Sequence, residues 1–428
     1  MTTGNTRRTS AAPGRTARQR TGGEQNGKGK KRQQKKKGFS LITVREGQMD
    51  YLFLLLVIVI LAVGLVSLFS ASHAHGYYNY KGSSFEFISK QLIYAGAGVA
   101  LMFLFSGINY KIFTSFKGGM AWLIMAVTVI LLIVVFQFPA LNNAHRWIII
   151  GDMTIQPSEV AKFSIVVLFA HLSVKNADQM NNPVKGLLPF VAVLGIVAFL
   201  IFREPHLSGT VLILLLGVSM MWLGGVKWYW FPALAIAGVV MVLILLAADK
   251  IPAYVLQRIE IWENPWSDPR DMGYQNIQSL YAIGSGGFLG VGIGNSTQKV
   301  TYLPEPQNDF IFAIVCEEIG LVGAVMIILL FAMLVWRGFV IGLRCRDRFG
   351  SLLAMGLTAQ IAFQTIWNIA VVTNAVPNTG ISLPFFSAGG TSLVMLLVQM
   401  GIVLSVSRHS GLPAEETEIE LRPADSGE

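Results

Sequence analysis

Charge is what this chain has least of. Only 13% of its 428 residues are Asp, Glu, Lys or Arg, whereas 53% are hydrophobic; soluble domains run at about a quarter charged. Apolar runs of roughly twenty residues recur along the sequence, each long enough at about 1.5 Å per residue to cross a hydrocarbon core. An ordinary soluble fold is excluded. Cysteine is scarce as well: Cys316 and Cys345 fall in an apolar run and a basic loop, without metal-type neighbours, so no disulfide framework is implied. Nucleotide-binding patterns are missing. Gly284 to Gly294 is rich in glycine, but no strand precedes it and no βαβ unit fits around it. Those glycines are better used as a tight backbone turn against a lipid phosphate.

Acid is nearly absent from the first 44 residues, where Glu24 stands alone against twelve Lys and Arg between Arg7 and Lys37. That segment carries more positive charge than the chain's net +9, so the remainder is slightly acidic. With too few apolar residues to bury a core, residues 1–47 read as a disordered basic cytoplasmic tail. Attraction to anionic lipid beside the first span explains it better than nucleic-acid binding. Residues 409–428 read as an acidic cytoplasmic tail. The first apolar run ends in Ala71-Ser72-His73-Ala74, but it is too long and lies too far into the chain for a cleaved signal, so it is a retained anchor.

Between the tails, residues 48–408 predict an all-α polytopic membrane protein of about ten transmembrane helices. The spans are 51–72, 89–107, 119–138, 157–174, 186–203, 207–224, 229–248, 310–336, 350–373 and 386–407. Lys and Arg concentrate in the even-numbered gaps (Lys111, Lys117, Lys175, Lys185, Lys227, Arg337, Arg344, Arg346, Arg348), which places those gaps and both termini in the cytoplasm. The odd gaps then face outward. They hold Asn142 to Trp147, Arg203 to His206, a long extracytoplasmic loop between helices 7 and 8 (249–309), and Asn374 to Gly380. Four polar segments on one side predict one outward-facing site, and a loop of that length is more often functional than a connector. Trp262, Trp266, Tyr274, Phe288 and Leu289 in this loop read as segments lying on the bilayer surface, the tryptophans as part of the aromatic belt.

Ionisable residues inside spans are costly and face a cavity or a partner. Pro157 opens the fourth span, with Glu159 and Lys162 three apart on one face. They fit a buried ion pair locking helices, or a cation held for an anionic ligand; residue chemistry alone weighs the two equally. Asp309 stands at the head of the eighth span. Its simpler reading is a helix N-cap, and its alternative is a general base at the membrane edge. Glu317 and Glu318, about two turns deeper, read as structural hydrogen-bonding groups rather than an ion pathway.

Taken in order, the outward segments resemble one family. His145-Arg146-Trp147, Gln156-Pro157-Ser158-Glu159 through Lys162, Glu204-Pro205-His206, Gly273-Tyr274-Gln275, Leu303-Pro304-Glu305 with Asp309-Phe310, Glu317-Glu318-Ile319-Gly320, and Pro377-Asn378-Thr379-Gly380 through Gly389-Gly390 are similar to the motifs of the SEDS (shape, elongation, division, sporulation) family. The match spans residues 50 to 408. Pro304-Glu305-Pro306-Gln307 and the basic extension resemble the division branch, FtsW, more than the rod-elongation branch, RodA; the sporulation branch is the near alternative. His206 and Asn308 stand where family members often carry Asp and Thr.

The resemblance implies a peptidoglycan glycosyltransferase that polymerises lipid II into β-1,4 glycan strands at the outer face of the bacterial cytoplasmic membrane, at the division septum. It assigns the essential carboxylate to Asp309 as general base and substrate contacts to Arg146, Glu159, Lys162 and Glu305. No nucleotide or redox cofactor is needed, and a divalent cation (Mg or Mn) is compatible. The implied partners are lipid II, the growing undecaprenyl-pyrophosphate-linked glycan, a class B penicillin-binding protein and other division proteins, with no nucleic acid. The rival readings are a lipid II flippase and a scaffold that activates a partner transpeptidase.

Overall fold

A computed structural model describes residues 48–79, 86–140, 144–151, 153–180, 182–248 and 252–409. The basic tail 1–47, residues 410–428 of the acidic tail, and Asn142, Asn143 and Asp249 lie outside the described residues. The ten expected spans correspond to α1 (Tyr51–Asn79), α2 (Glu86–Gly107), α3 (Gly119–Val134), α4 (Pro157–Lys175), α5 (Leu188–Arg203), α6 (Leu207–Leu223), α7 (Trp230–Ala247) and, after three intervening helices, α11 (Ile311–Arg344), α12 (Arg348–Val372) and α13 (Gly390–His409). Eight of these stretches are long and apolar enough to cross a membrane, and α6 and α7 are shorter apolar helices.

Burial sorts the helices. α4 and α12 are enclosed along most of their length, whereas α2 and α3 turn residues such as Ile93 and Ile130 outward. Outward apolar side chains of this kind suit lipid rather than water. The low charge of the sequence is thus spent on two surfaces, a core around α4 and α12 and an apolar exterior.

Local chemistry sets the helix ends. Pro157 occupies the first turn of α4, where its missing N–H costs nothing. Asp347 caps α12 by accepting from Gly350 N at 2.9 Å, and Asp50 caps α1 by accepting from Phe53 N at 2.9 Å. Asp309 caps nothing. Phe310 holds the position before α11, with no side-chain cap, so the N-cap reading is corrected.

The long segment after α7 is not an open loop. It folds into α8 (Ala253–Glu263), α9 (Tyr274–Gly286) and the single turn α10 (Gln298–Thr301). Trp262 belongs to this packing: its Nε1 donates to Asn374 O at 3.0 Å. Trp266, Phe288 and Leu289 are exposed, as a belt requires. Sequence reading also missed a hairpin, β1 (Ile148–Ile150) antiparallel to β2 (Met153–Ile155), pairing Ile148 with Ile155. Strands of three residues are too short to announce themselves by alternation.

The glycine-rich stretch forms a tight turn that closes onto protein. α11 breaks at Gly320 (φ 66°, ψ −169°), and the freed backbone groups pair with the stretch. Val291 N donates to Glu317 O and Gly292 N to Glu318 O, both at 3.0 Å; Leu321 N donates to Gly287 O at 2.9 Å. Buried backbone groups must be paired, and in lipid no water can do it. A Cβ at Gly290 (φ +81°) would lie 2.2 Å from Glu318 O, and one at Gly320 2.3 Å from Gly290 N. Gly290→Ala should therefore destabilise by more than the roughly 1–3 kcal/mol of a left-handed backbone strain, read as a lower Tm in detergent.

The two glutamates beside the kink are structural. Glu317 Oε1 accepts from Thr297 N and Thr297 Oγ1 at 3.0 Å, and Oε2 accepts from Ser296 Oγ. Glu318 pairs with Lys299 Nζ at 2.5 Å and accepts from Ser70 Oγ at 2.6 Å. α10 is thereby pinned to α1 and α11.

α11 also runs further than the expected 336. Its continuation buries Arg337 instead of leaving it in a cytoplasmic gap, because Asp50 neutralises it: Arg337 Nη2 lies 2.7 Å from Asp50 Oδ2.

Candidate active site

Arg146 follows the short bridge at Ala144 and precedes β1, so the hairpin fixes its backbone. Its Nη2 donates to the carbonyl of Pro205 between α5 and α6, joining two of the polar segments. Arg258 on α8 joins two more, donating from Nη1 to Asn378 O at 2.7 Å. Gln275 Nε2 reaches Pro304 O at 3.4 Å. The segments that sequence reading set on one side therefore converge.

Arg146, Glu159, Lys162, Glu305 and Asp309 all line one cavity of about 210 Å³. Glu159 and Lys162 are buried and paired, Nζ to Oε1 at 2.8 Å, and Lys162 also donates to Gln364 Oε1 at 3.1 Å. Glu159 Oε2 has no partner, so this pair is anchored on one side and open on the other. Glu305 is exposed, at φ +45°, and accepts from Asn308 Nδ2 at 2.7 Å.

Asp309 is half-buried at the cavity wall. Asn368 Nδ2 clamps its backbone carbonyl at 2.8 Å and that of Ile381 at 2.6 Å, which fixes the chain on both sides. Its Oδ2 would lie 3.1 Å from a Cβ at Gly380 (φ +70°), so a glycine there gives the carboxylate room. Burial pushes the Asp309 carboxyl up to about 6; Arg146 and Arg258 oppose the rise, and Glu305 adds to it. A carboxylate so placed is a better proton acceptor than one in water.

Glu204 is wholly buried, and neither carboxyl oxygen has a partner. Burial pushes its carboxyl up to about 8 against the pull of Arg146. His206 is also buried, with Nδ1 unpartnered and its pKa held well down by burial and then by Arg146, Lys162 and Arg258. A carboxyl whose folded pKa exceeds its unfolded value contributes stability at low pH and loses it as pH rises through the folded pKa. Glu204→Gln should therefore raise Tm relative to the native chain at pH 8, with the gap closing as pH falls to about 4.5; thermal melts across pH 4.5–8.5 would read it.

Sequence reading missed Arg258, Gln364 and Asn368. Taking the long segment as a loop hid the helical register that carries Arg258. Gln364 and Asn368, four apart in an apolar helix, carry the signal of polar groups in a span, but only charges were weighed. Among the described residues no group of three or more His, Cys, Asp or Glu is arranged to hold a metal, and no step is assigned to one.

The family described as Cell cycle protein, FTSW_RODA_SPOVE, matches residues 50–412. The chain belongs to this family. This SEDS chain is 37% identical over 375 residues to Stage V sporulation protein E of Bacillus subtilis (strain 168), covering 86% of the chain and 100% of that relative. It is 36% identical to the probable peptidoglycan glycosyltransferase FtsW of Thioalkalivibrio sp. (strain K90mix), covering 83% and 88%, and 36% identical to that of B. subtilis, covering 84% and 90%. The FtsW-like reading fits, with the sporulation branch equally near. Two solved structures share the fold. A chain from "Structural coordination of polymerization and crosslinking by a peptidoglycan synthase complex" aligns at TM-score 0.70 and 24% identity, covering 85% of this chain and 99% of that one. The Rod shape determining protein RodA of Thermus thermophilus aligns at 0.61 and 24%, covering 85% and 98%. The family, its fold and its apolar helices together make this a multi-pass membrane protein.

Proposed function

We propose that this chain is a peptidoglycan glycosyltransferase that polymerises lipid II during cell division, with Asp309 as general base. The observation that carries the reading is a half-buried carboxylate with a raised pKa, set in one cavity with Arg146 and Lys162. The acceptor sugar hydroxyl attacks the anomeric carbon of the pyrophosphate-linked donor. The new C–O bond forms as the bond to pyrophosphate breaks, the electron pair leaves on the pyrophosphate, and the hydroxyl proton passes to Asp309. Attack from the face opposite the leaving group inverts the α-linked donor into a β-1,4 strand. Arg146 and Lys162 offset the charge growing on the leaving group, Glu159 holds Lys162, and Glu305 contacts substrate at the cavity rim.

The positive-inside pattern supports placing the cavity on the outer face of the cytoplasmic membrane, with the 1–47 and 409–428 tails inside. The family's description supports a role in division, which we place at the septum, the relatives' names support peptidoglycan synthesis, and the synthase complex with the same fold supports a crosslinking partner, a class B penicillin-binding protein docked on the helical body. Names that specify a glycosyltransferase favour chemistry over lipid transport.

Purified protein with that partner, given lipid II in liposomes, should make glycan strands. Movement of labelled lipid II between leaflets without strand synthesis would replace this reading with transport.

A further inference from the structure

A second cavity, of about 180 Å³, is lined by Arg258, Ile261, Met272, Gln275 and Asn378. The two cavities share the Asn378–Gly380 segment as a wall, since Gly380 lines the first. The wall is braced: Asn378 Nδ2 donates to Gln275 Oε1 and Gly380 N to Asn378 Oδ1, both at 3.3 Å. Arg258 spends Nη1 on Asn378 O. Among the described residues no carboxylate pairs with it within 4 Å, so the rest of its fork is free for a ligand in the cavity. Asp309 and Arg146 both lie within its electrostatic reach.

The reaction proposed above consumes two pyrophosphate-linked sugars, and two diphosphates in one small cavity would repel each other strongly at low dielectric. A planar guanidinium with open donors suits a phosphate group. Resting on that reading of the activity, we propose that the Arg258 cavity holds the pyrophosphate of the acceptor, the substrate whose own pyrophosphate bond stays intact. The Arg146 and Lys162 cavity then serves the donor, whose pyrophosphate departs. The division has a kinetic consequence. The acceptor pyrophosphate keeps the same charge from ground state to transition state, so Arg258 binds both equally and acts on KM; Arg146 meets growing charge and acts on kcat.

The test supplies preformed lipid-linked glycan strand as donor at fixed concentration and varies lipid II as acceptor. Arg258→Gln is expected to raise the acceptor KM about tenfold with kcat within about twofold, and Arg258→Lys to recover part of the loss. Arg146→Gln is expected to lower kcat instead. Lipid II with its acceptor hydroxyl blocked can react only as donor, and at saturating acceptor its KM as donor should be unchanged by Arg258→Gln. A fall in kcat matching Arg146→Gln, or a raised donor KM for the blocked lipid, would overturn the assignment while leaving the glycosyltransferase standing. Equal impairment by Gln and Lys, with a lowered Tm, would reduce Arg258 to a brace for Asn378. No strands from the native protein would remove the underlying activity and this division with it.

Discussion

Asp309→Asn is expected to lower strand synthesis by about 100- to 10,000-fold, the usual range for a lost general base. Asparagine keeps the shape and the clamp that Asn368 places on the backbone carbonyl at 2.8 Å, so lipid II should still bind. The native rate should fall as pH drops through about 6, where the Asp309 carboxyl takes up its proton, and the residual rate of the variant should lack that limb. A stability readout separates this role from helix capping. The raised carboxyl contributes stability below its unfolded pKa and loses it as pH rises through about 6. The amide variant should therefore melt higher than the native protein at pH 7, with the difference gone below about pH 4. A helix cap would show no such gain. Strand synthesis within a few-fold of native would remove Asp309 from the chemistry and leave the enzyme class intact.

Asp50→Ala should damage the fold rather than the chemistry. Asp50 receives Arg337 Nε at 3.0 and 3.1 Å and Nη2 at 2.7 Å, caps α1 through Phe53 N, and its own N–H donates to Ser407 Oγ at 3.1 Å. The side chain thus ties α1 to α11, and the backbone N–H of the same residue reaches α13. Removing one partner of a buried ion pair costs about 3–5 kcal/mol, because the other charge stays behind in a medium that cannot solvate it. A marked fall in Tm is expected. Replacing the pair together, as Asp50→Asn with Arg337→Met, should recover much of it. A single variant that melts like the native protein would show that water or lipid headgroups reach Arg337.

The two sites of expected damage differ in how legible they were. Asp309 stood out by position, a carboxylate at the head of an apolar run among polar text. Arg337 did not: it follows an apolar run in a stretch rich in arginine, so it read as one more cytoplasmic charge. Its partner Asp50 lies 287 residues away, and no local pattern encodes that pairing. Glu204 was legible as part of an outward motif, yet nothing in the sequence gives its burial or its unpartnered oxygens.

By itself the sequence determined the approximate number and placement of the membrane helices, though not their ends, because a lipid core leaves a twenty-residue apolar signature that needs no tertiary context. It also determined which four polar segments share a side, because lysine and arginine sort loops by a rule that counts charge along the chain. Tertiary structure alone decided what those segments do to one another. It folded the long segment into helices that carry Arg258 to the site, closed the glycine stretch onto the break at Gly320, and set Asp309 beside Arg146 instead of on a helix end. Each outcome rests on pairing buried backbone and charge where water is excluded, and partners of that kind are chosen by distance in space.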